Sequence, residues 1–364
     1  MGSMSRPVRW GFWGAGAVAH LVAQDLRRVA GAQAVAVASR SAASANAFAS
    51  AYGIARFHAD LHSLLSDGDI DVVYVATPHH RHAADAIACL RAGKAVLCEK
   101  PFALNEQQAA EVIAEAQRAG RFCMEAMWTR FIPAVQAARQ LLEAGAIGRV
   151  RMIAGDFAYP TAFEPSSRFF APELGGGALL DRGVYLVSLA QALLGEPVAV
   201  QASAQFAATG VDEQSAYQLQ FADGAIAQFW AGLTVRGTNS FVVVAEEGQI
   251  RLHEPFYGAH RLSVSHHAPA QTPPRDPGAG LGARIKRALV QQGVSRRVDW
   301  LRSVQRHLGS RSMPFAGNGY QFELAEVVRC IRAGLMESPL MPLADSQAVA
   351  RTMDRLRACW APPR

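Results

Sequence analysis

Up to about residue 127, short β-branched or aromatic runs alternate with Ala-rich stretches whose apolar positions recur at helical spacing. That alternation predicts βαβα units wound about a parallel sheet. Val8 to Trp13, Gln33 to Ala38, Asp71 to Ala76, Ala95 to Cys98 and Phe122 to Ala126 are the expected strands. Between them Val18 to Ala30, Ala42 to Tyr52, His80 to Ala92 and Glu106 to Ala119 are the expected helices. Gly31, Gly53, Gly93 and Gly120 follow these helices, where a left-handed residue commonly ends one.

Past Thr129 the rhythm changes. A helix from Ala134 to Ala144, a strand from Val150 to Ala158 and a helix from Ala178 to Leu194 come first. Five runs with partial period-two alternation follow: Val198 to Gln205, Ser215 to Phe221, Ala225 to Thr234, Phe241 to Ala245 and Gln249 to Leu252. Asp223-Gly224 and Glu247-Gly248 mark turns between them. This pattern predicts an antiparallel sheet covered on one face by helices. Ala268 to Gly282, rich in Pro and Gly, is an expected loop, and helices from Gln321 to Ala333 and Ala344 to Ala358 close the chain. There are no internal repeats.

A chain of 364 residues exceeds the usual size of one hydrophobic core, so two domains are expected. No apolar stretch approaches the ~18 uninterrupted residues of a membrane span. Met1-Gly-Ser reads as a vector-derived leader before a native Met4, with no basic or apolar export region behind it. Cys89, Cys98, Cys123, Cys330 and Cys359 are odd in number, widely spaced and free of CxxC pairing. They fit reduced thiols and a cytoplasmic location.

The formal charge of +6 is concentrated in one place. From about 265 to 314, nine Lys or Arg residues face only Asp276 and Asp299, and the remaining chain is close to neutral. Basicity therefore belongs to an insertion and gives no reason to expect nucleic acid. Ile285, Leu289, Val298, Leu301, Val304 and Leu308 form an apolar stripe there with Arg on other faces. It reads as a flap or oligomer arm, with attachment to an acidic membrane the lesser alternative.

Gly11-Phe-Trp-Gly14-Ala-Gly16-Ala17-Val-Ala19 follows the first expected strand and opens the first expected helix, the setting a dinucleotide fingerprint requires. Gly14 permits the tight turn, Gly16 lets backbone approach a diphosphate, and Ala19 keeps the helix close to the sheet. The helix beginning at Ala17 directs its positive end at the phosphates. At the end of the second strand stands Ser39-Arg40-Ser41 with no acid, which suits the 2′-phosphate of NADP better than NAD. The fold class is thus α/β: a Rossmann domain at 1–128, an α+β domain with a large, mostly antiparallel open sheet at 129–343, and a C-terminal helix at 344–364.

In such folds ligands lie beyond the carboxyl ends of the strands. Two segments end there, Thr77-Pro78-His79-His80-Arg81-His82 and Glu99-Lys100-Pro101. An ammonium at Lys100 would assist proton removal as hydride leaves, although a strand-end Lys also suits a plain surface charge. His79 and His82 lack a Cys or carboxylate cluster, so no metal is expected; they wall the cofactor or begin the next helix. Gly175-Gly-Gly177 precedes Asp181 and Tyr185, which at i and i+4 share a helix face. An acid beside a phenol suits proton exchange with a substrate hydroxyl; a capping Asp and a core Tyr fit the same residues equally.

Together these motifs resemble the family of glucose-fructose oxidoreductase, inositol dehydrogenase and MocA-like proteins over nearly the whole chain. Glu125-Ala-Met-Trp128-Thr-Arg130-Phe131 and Gly317-Asn-Gly-Tyr320 through Pro342 resemble the branch holding dimeric dihydrodiol dehydrogenase and NADP-dependent D-xylose dehydrogenase. The resemblance implies Tyr185 as general acid/base, Lys100 as its pKa-lowering partner, and Asp181 beside them. It also implies that Glu99, Thr77, Pro78, Trp128 and Arg130 line the nicotinamide side. The cofactor would be NADP, and a homodimer or homotetramer would form through the open sheet. Arg182, where the family has an apolar residue, would bring charge to the substrate mouth or face solvent.

The expected activity is hydride transfer between NADP and a secondary alcohol carbon of a sugar or trans-dihydrodiol. A cofactor-binding sensor without turnover, or a lyase or glycosidase that recycles its cofactor, are the alternatives.

Overall fold

The computed structural model describes residues 6–267 and 309–360. Six parallel strands form the first sheet: β1 (Val8–Trp13), β2 (Ala32–Ala38), β3 (Arg56–His58), β4 (Val72–Val75), β5 (Ala95–Glu99) and β6 (Cys123–Ala126). Their order is β3-β2-β1-β4-β5-β6, so the winding reverses between β1 and β4 and opens a crevice at the carboxyl ends of both. β4 and β5 are buried at every position, as strands with helices on both faces must be. The edge strand β3 and the short helix α3 (Leu61–Leu65) were not expected from the pattern, being too short for either period to register.

The remaining helices of this layer are α1 (Ala17–Leu26), α2 (Ala42–Tyr52), α4 (His82–Arg91) and α5 (Glu106–Ala119). α2 and α5 start where Ser41 and Asn105 accept hydrogen bonds from the N–H groups of Ser44 and Gln108. They stop at Gly53 and Gly120, both left-handed. α1 ends at Leu26, earlier than its apolar pattern suggests, because Arg28 and Val29 donate to the carbonyls of Asp25 and Leu26 in tight turns.

The second layer holds α6 (Pro133–Glu143), β7 (Val150–Ala158), α7 (Val184–Leu194), β8 (Ala199–Phe206), β9 (Asp212–Gln220), β10 (Ile226–Gly232), β11 (Phe241–Ala245) and β12 (Gly248–Leu252). β13 (Arg261–His266), β14 (Ser310–Ser312), α8 (Gln321–Arg332) and α9 (Leu343–Ala358) complete it. The eight strands run β14-β13-β12-β11-β7-β10-β9-β8, antiparallel throughout except where β7 meets β10. Ser215, Tyr217 and Leu219 of β9 turn inward, and Gln214 and Ala216 turn outward. α7 fills the inner face, and its residues from Val184 to Gln191 are all buried.

β13 and β14 pair beside each other, so the chain leaves and rejoins one edge of this sheet. The expected loop at 268–282 and most of the basic insertion, including its apolar stripe, lie outside the described residues. α9 crosses both layers, packing on α5 and α7, and its Arg351 pairs with Glu106 and Glu196 at 2.7 Å.

Candidate active site

From β1 the chain turns through Gly14-Ala15-Gly16 into α1. Gly14 has φ of +111°, and a Cβ there would lie 2.5 Å from the Ala76 carbonyl oxygen at the end of β4. Glycine is required to bring this turn against the neighbouring strand. At Gly16 a Cβ would meet no protein atom within 4 Å, so bare backbone faces open space. α1 has no side-chain cap and no acid in its first turn, which leaves its first N–H groups and positive dipole end available to an anion. A cleft of about 380 Å³ starts here, at Gly14, Gly16 and Ala17, and passes Ser39 and Arg40. It ends at Thr77, Pro78, His79, His82, Glu99 and Lys100. Among the described residues Arg40 has no ion-pair partner. Bare backbone, a free helix terminus and a free guanidinium fit a phosphorylated dinucleotide.

Buried side chains fix the cleft walls. Asp85 Oδ2 accepts from Trp13 Nε1 at 2.8 Å and from Thr77 Oγ1 at 2.9 Å. The two ring nitrogens of His82 lie 2.7 Å from the carbonyl oxygens of Pro101 and Thr77. His79 Nδ1 sits 2.9 Å from the Gly175 carbonyl oxygen. Burial, with lesser repulsion from His82 and Lys100, lowers its pKa to about 3, so His79 is a neutral imidazole at pH 7. A Cβ at Gly175 would come 3.0 Å from that of His79 and 2.5 Å from Leu104 Cδ2, so glycine lets the two layers close here.

Lys100 projects from the end of β5 into the junction between layers. Its Nζ donates to the Asp181 carbonyl oxygen at 2.7 Å and to Asp181 Oδ1 at 3.1 Å. It also lies 4.9 Å from the centroid of the Tyr185 ring. Arg168 Nη1 donates to the same Asp181 oxygen at 2.9 Å. Burial alone would raise the Asp181 pKa; Lys100 and Arg168 outweigh it and hold the carboxyl well below the usual range. The Tyr185 hydroxyl accepts from Trp128 Nε1 at 3.1 Å and keeps its own proton to donate. Burial, reinforced by Tyr320 and Glu99, pushes this phenol well above its ordinary pKa. Asp181 and Tyr185 reach one side of the site, with Asp181 carried on a π-helical turn, Leu179–Gly183, just before α7.

Glu99 lines the cleft beside Lys100 and accepts from the Tyr74 hydroxyl at 2.5 Å. Asp181 and Tyr185 stand directly behind Lys100. Three expected cofactor contacts are not brought to the cleft wall. Ser41 spends its hydroxyl oxygen on capping α2. Trp128 lies behind Tyr185, its ring stacked on Tyr320 with centroids 4.7 Å apart. Arg130 points away altogether: it is buried, donates to Ser188 Oγ and to the Ser188 carbonyl at 2.9 Å each, and pairs with Asp345. Its charge ties α7 to the start of α9.

Arg182 takes neither expected position, mouth or solvent. It is buried and donates to the carbonyls of Tyr159 and Gly232 and to Thr161 Oγ1. Arg168, Trp13 and Asp85 belong to the site without a sequence signal to announce them; Arg168 lies in an irregular loop that carries no period. Among the described residues no three His, Cys, Asp or Glu side chains converge as a metal site.

This arrangement defines a nicotinamide-dependent oxidoreductase. Residues 8–127 match the model of the oxidoreductase family with an NAD-binding Rossmann fold, and residues 135–251 match the GFO/IDH/MocA C-terminal domain. The chain belongs to the Gfo/Idh/MocA family. It is 31% identical over 356 residues to the trans-1,2-dihydrobenzene-1,2-diol dehydrogenase of Bos taurus and 33% identical over 354 residues to that of Danio rerio, covering 96% of both chains in each case. Its fold matches a 3-ketoreductase from Actinomadura kijaniata, solved with NADP and TDP-benzene, with a TM-score of 0.79, 23% identity and 98% of each chain covered.

Proposed function

We propose that this protein is a cytoplasmic, NADP-dependent dehydrogenase that moves hydride between the cofactor and a secondary alcohol carbon of a sugar or trans-dihydrodiol. The observation that carries the reading is the meeting of Lys100, which lines the cleft, with Asp181 and Tyr185 directly behind it. NADP held there would supply the hydride acceptor, with its diphosphate at Gly14, Gly16 and Ala17 and its 2′-phosphate at Ser39 and Arg40. An acid-free β2 end favours NADP over NAD, and the similar 3-ketoreductase was solved with NADP.

The chain's own residues manage the proton. Tyr185 donates or accepts it at its hydroxyl, while Trp128 fixes the oxygen by donating to it. Lys100 keeps a cation against the ring face and favours the phenolate when the proton leaves. Asp181 holds Lys100 in that place. The names of the curated relatives support a diol as substrate, and that of a similarly folded aldose-aldose oxidoreductase from Caulobacter crescentus supports a sugar. The outer face of the eight-stranded sheet, with Met152 and Trp230 exposed, would pair two copies into a homodimer or the halves of a homotetramer.

The test is NADPH formation by purified protein with NADP, and NAD in parallel, against aldoses, inositols and trans-dihydrodiols. An NADP-preferring signal abolished in Tyr185→Phe supports the proposal. Tight NADP binding with no turnover across the panel overturns it in favour of a sensor.

A further inference from the structure

Three basic side chains converge on the Asp181 carboxylate. Lys100 Nζ lies 3.1 Å from it, Arg168 Nη1 2.9 Å and Arg182 Nε 3.7 Å. The Lys100 and Arg182 side chains are 11% and 7% exposed, so water screens them little. The other partners of Arg182 are neutral: two carbonyls and the Thr161 hydroxyl. His79 is neutral as well, and Glu99 is drawn toward its protonated form by burial. Among the described residues, three basic side chains thus face two acids, Asp181 and Glu99, at this junction, one basic group more than the acids match.

That excess extends to the open side. The Tyr257 hydroxyl donates to that of Tyr159 at 3.1 Å, and Arg182 and Arg236 both act on Tyr257 electrostatically. Arg236 is exposed, with its guanidinium 5.3 Å from the centroid of the Tyr159 ring. The Arg168 side chain is 45% exposed, with its guanidinium carbon over the Phe169 ring, 3.9 Å from the centroid. Only its Nη1 is engaged among the described residues. A guanidinium with free N–H groups matches the two oxygens of a carboxylate or phosphate.

We infer that the alcohol substrate carries an anionic group, a carboxylate or a phosphate ester, received by Arg168 and Arg236 beside the Tyr159 and Tyr257 hydroxyls. This rests on the reading of the cleft as a hydride-transfer site and names its substrate class. Arg182, buried and donating to the Tyr159 carbonyl, acts through its field on Tyr257 as a positioning residue.

The test compares D-glucuronate and D-glucose 6-phosphate with D-glucose, reading kcat/KM with NADP and, separately, the fluorescence of protein-bound NADPH as each sugar is added. The expected result is a preference of about tenfold or more for one anionic sugar, falling about tenfold in Arg168→Gln and in Arg236→Gln and partly restored in Arg168→Lys. Which anion wins separates the carboxylate from the phosphate. Equal kcat/KM for charged and neutral sugars overturns the inference while leaving the dehydrogenase intact. A rise in KM for NADP alone in Arg168→Gln also overturns it, by assigning the charge to the cofactor. If no sugar turns over but an anionic one still perturbs bound NADPH in an Arg168-dependent way, the anion subsite stands and the hydride-transfer reading falls.

Discussion

Lys100 and Asp181 come from different layers and meet twice, through the Asp181 carbonyl at 2.7 Å and its carboxylate at 3.1 Å. The first bond does not depend on the carboxylate charge, and the second would keep only a neutral acceptor in Asp181→Asn. Asp181→Asn should therefore leave Lys100 near its place but loosen it, lowering kcat by about 10²-fold, whereas Lys100→Met should cost about 10³-fold or more. Single-turnover kinetics at saturating NADP separate the two. Stability supplies a second reading. Because the Asp181 pKa is depressed in the fold, its stabilisation is present above the unfolded value and is lost only as pH falls through the folded one. Urea melts should show a constant gap between the protein and Asp181→Asn from pH 8 to 5, narrowing below about pH 4.

The two glycines of the first turn should fail in opposite ways. Gly14→Ala puts a methyl against the Ala76 carbonyl in a left-handed backbone, so the apparent melting temperature should drop with a loss of about 2 kcal/mol or more. Gly16→Ala meets no protein atom and should leave melting within about 0.5 kcal/mol of the parent. Its methyl instead occupies the face offered to the diphosphate, and NADP affinity should fall by about tenfold or more. Isothermal titration alongside thermal melts checks both. Unchanged NADP affinity in Gly16→Ala would remove this turn from the cofactor site.

The Arg130–Asp345 pair is a structural lock by position and burial. Arg130 is 3% exposed, while Asp345 is 39% exposed at the side chain. Asp345→Asn leaves a buried guanidinium without its counter-charge and should cost about 2–4 kcal/mol. NADP affinity of the folded fraction should stay unchanged, since Asp345 does not line the cleft and anchors α9 instead. A selective loss of NADP binding with normal stability would return Arg130 to the nicotinamide side.

Spacing singled out Gly14, Gly16, Lys100, Asp181 and Tyr185 in the sequence, and the family resemblance lent the last three their proposed roles. Gly14 and Gly16 follow an aromatic-rich run and open an Ala-rich one, Lys100 comes two residues after the apolar run Ala95 to Cys98, and Asp181 and Tyr185 stand four apart. Each is a local relationship, and the bounds of β1, α2, β7 and β11 follow from the same periodicity. What escaped depends on distant chain. Arg130 looks alike in sequence whether it meets a nicotinamide or Asp345, and Arg168 sits in a loop whose course is set by the Phe169 and Phe170 contacts around it. β3 and β14 have three residues each, fewer than a period-two pattern needs to stand out.

Asp212 should make the protein less stable as pH rises toward neutrality. Its side chain is buried at the start of β9, where Oδ2 accepts from the Leu179 N–H at 2.7 Å and so fixes the π-helical turn that carries Asp181. Burial raises its pKa to about 7 despite that bond. The folded state thus holds a proton that the unfolded chain, with an ordinary Asp pKa of about 3.9, has already released. Stability from this group is full below the unfolded pKa, declines from about pH 4 to about pH 7, and levels off beyond, a change of at most about 4 kcal/mol. Asn at this position keeps the acceptor and removes the titration. Urea melts at pH 5 and pH 8 should therefore show a smaller loss of stability in Asp212→Asn than in the parent, by about 1–3 kcal/mol. An identical loss in both would mean that Asp212 is ionised in the fold across this range, and that the turn beneath Asp181 is held by a charged rather than a neutral acid.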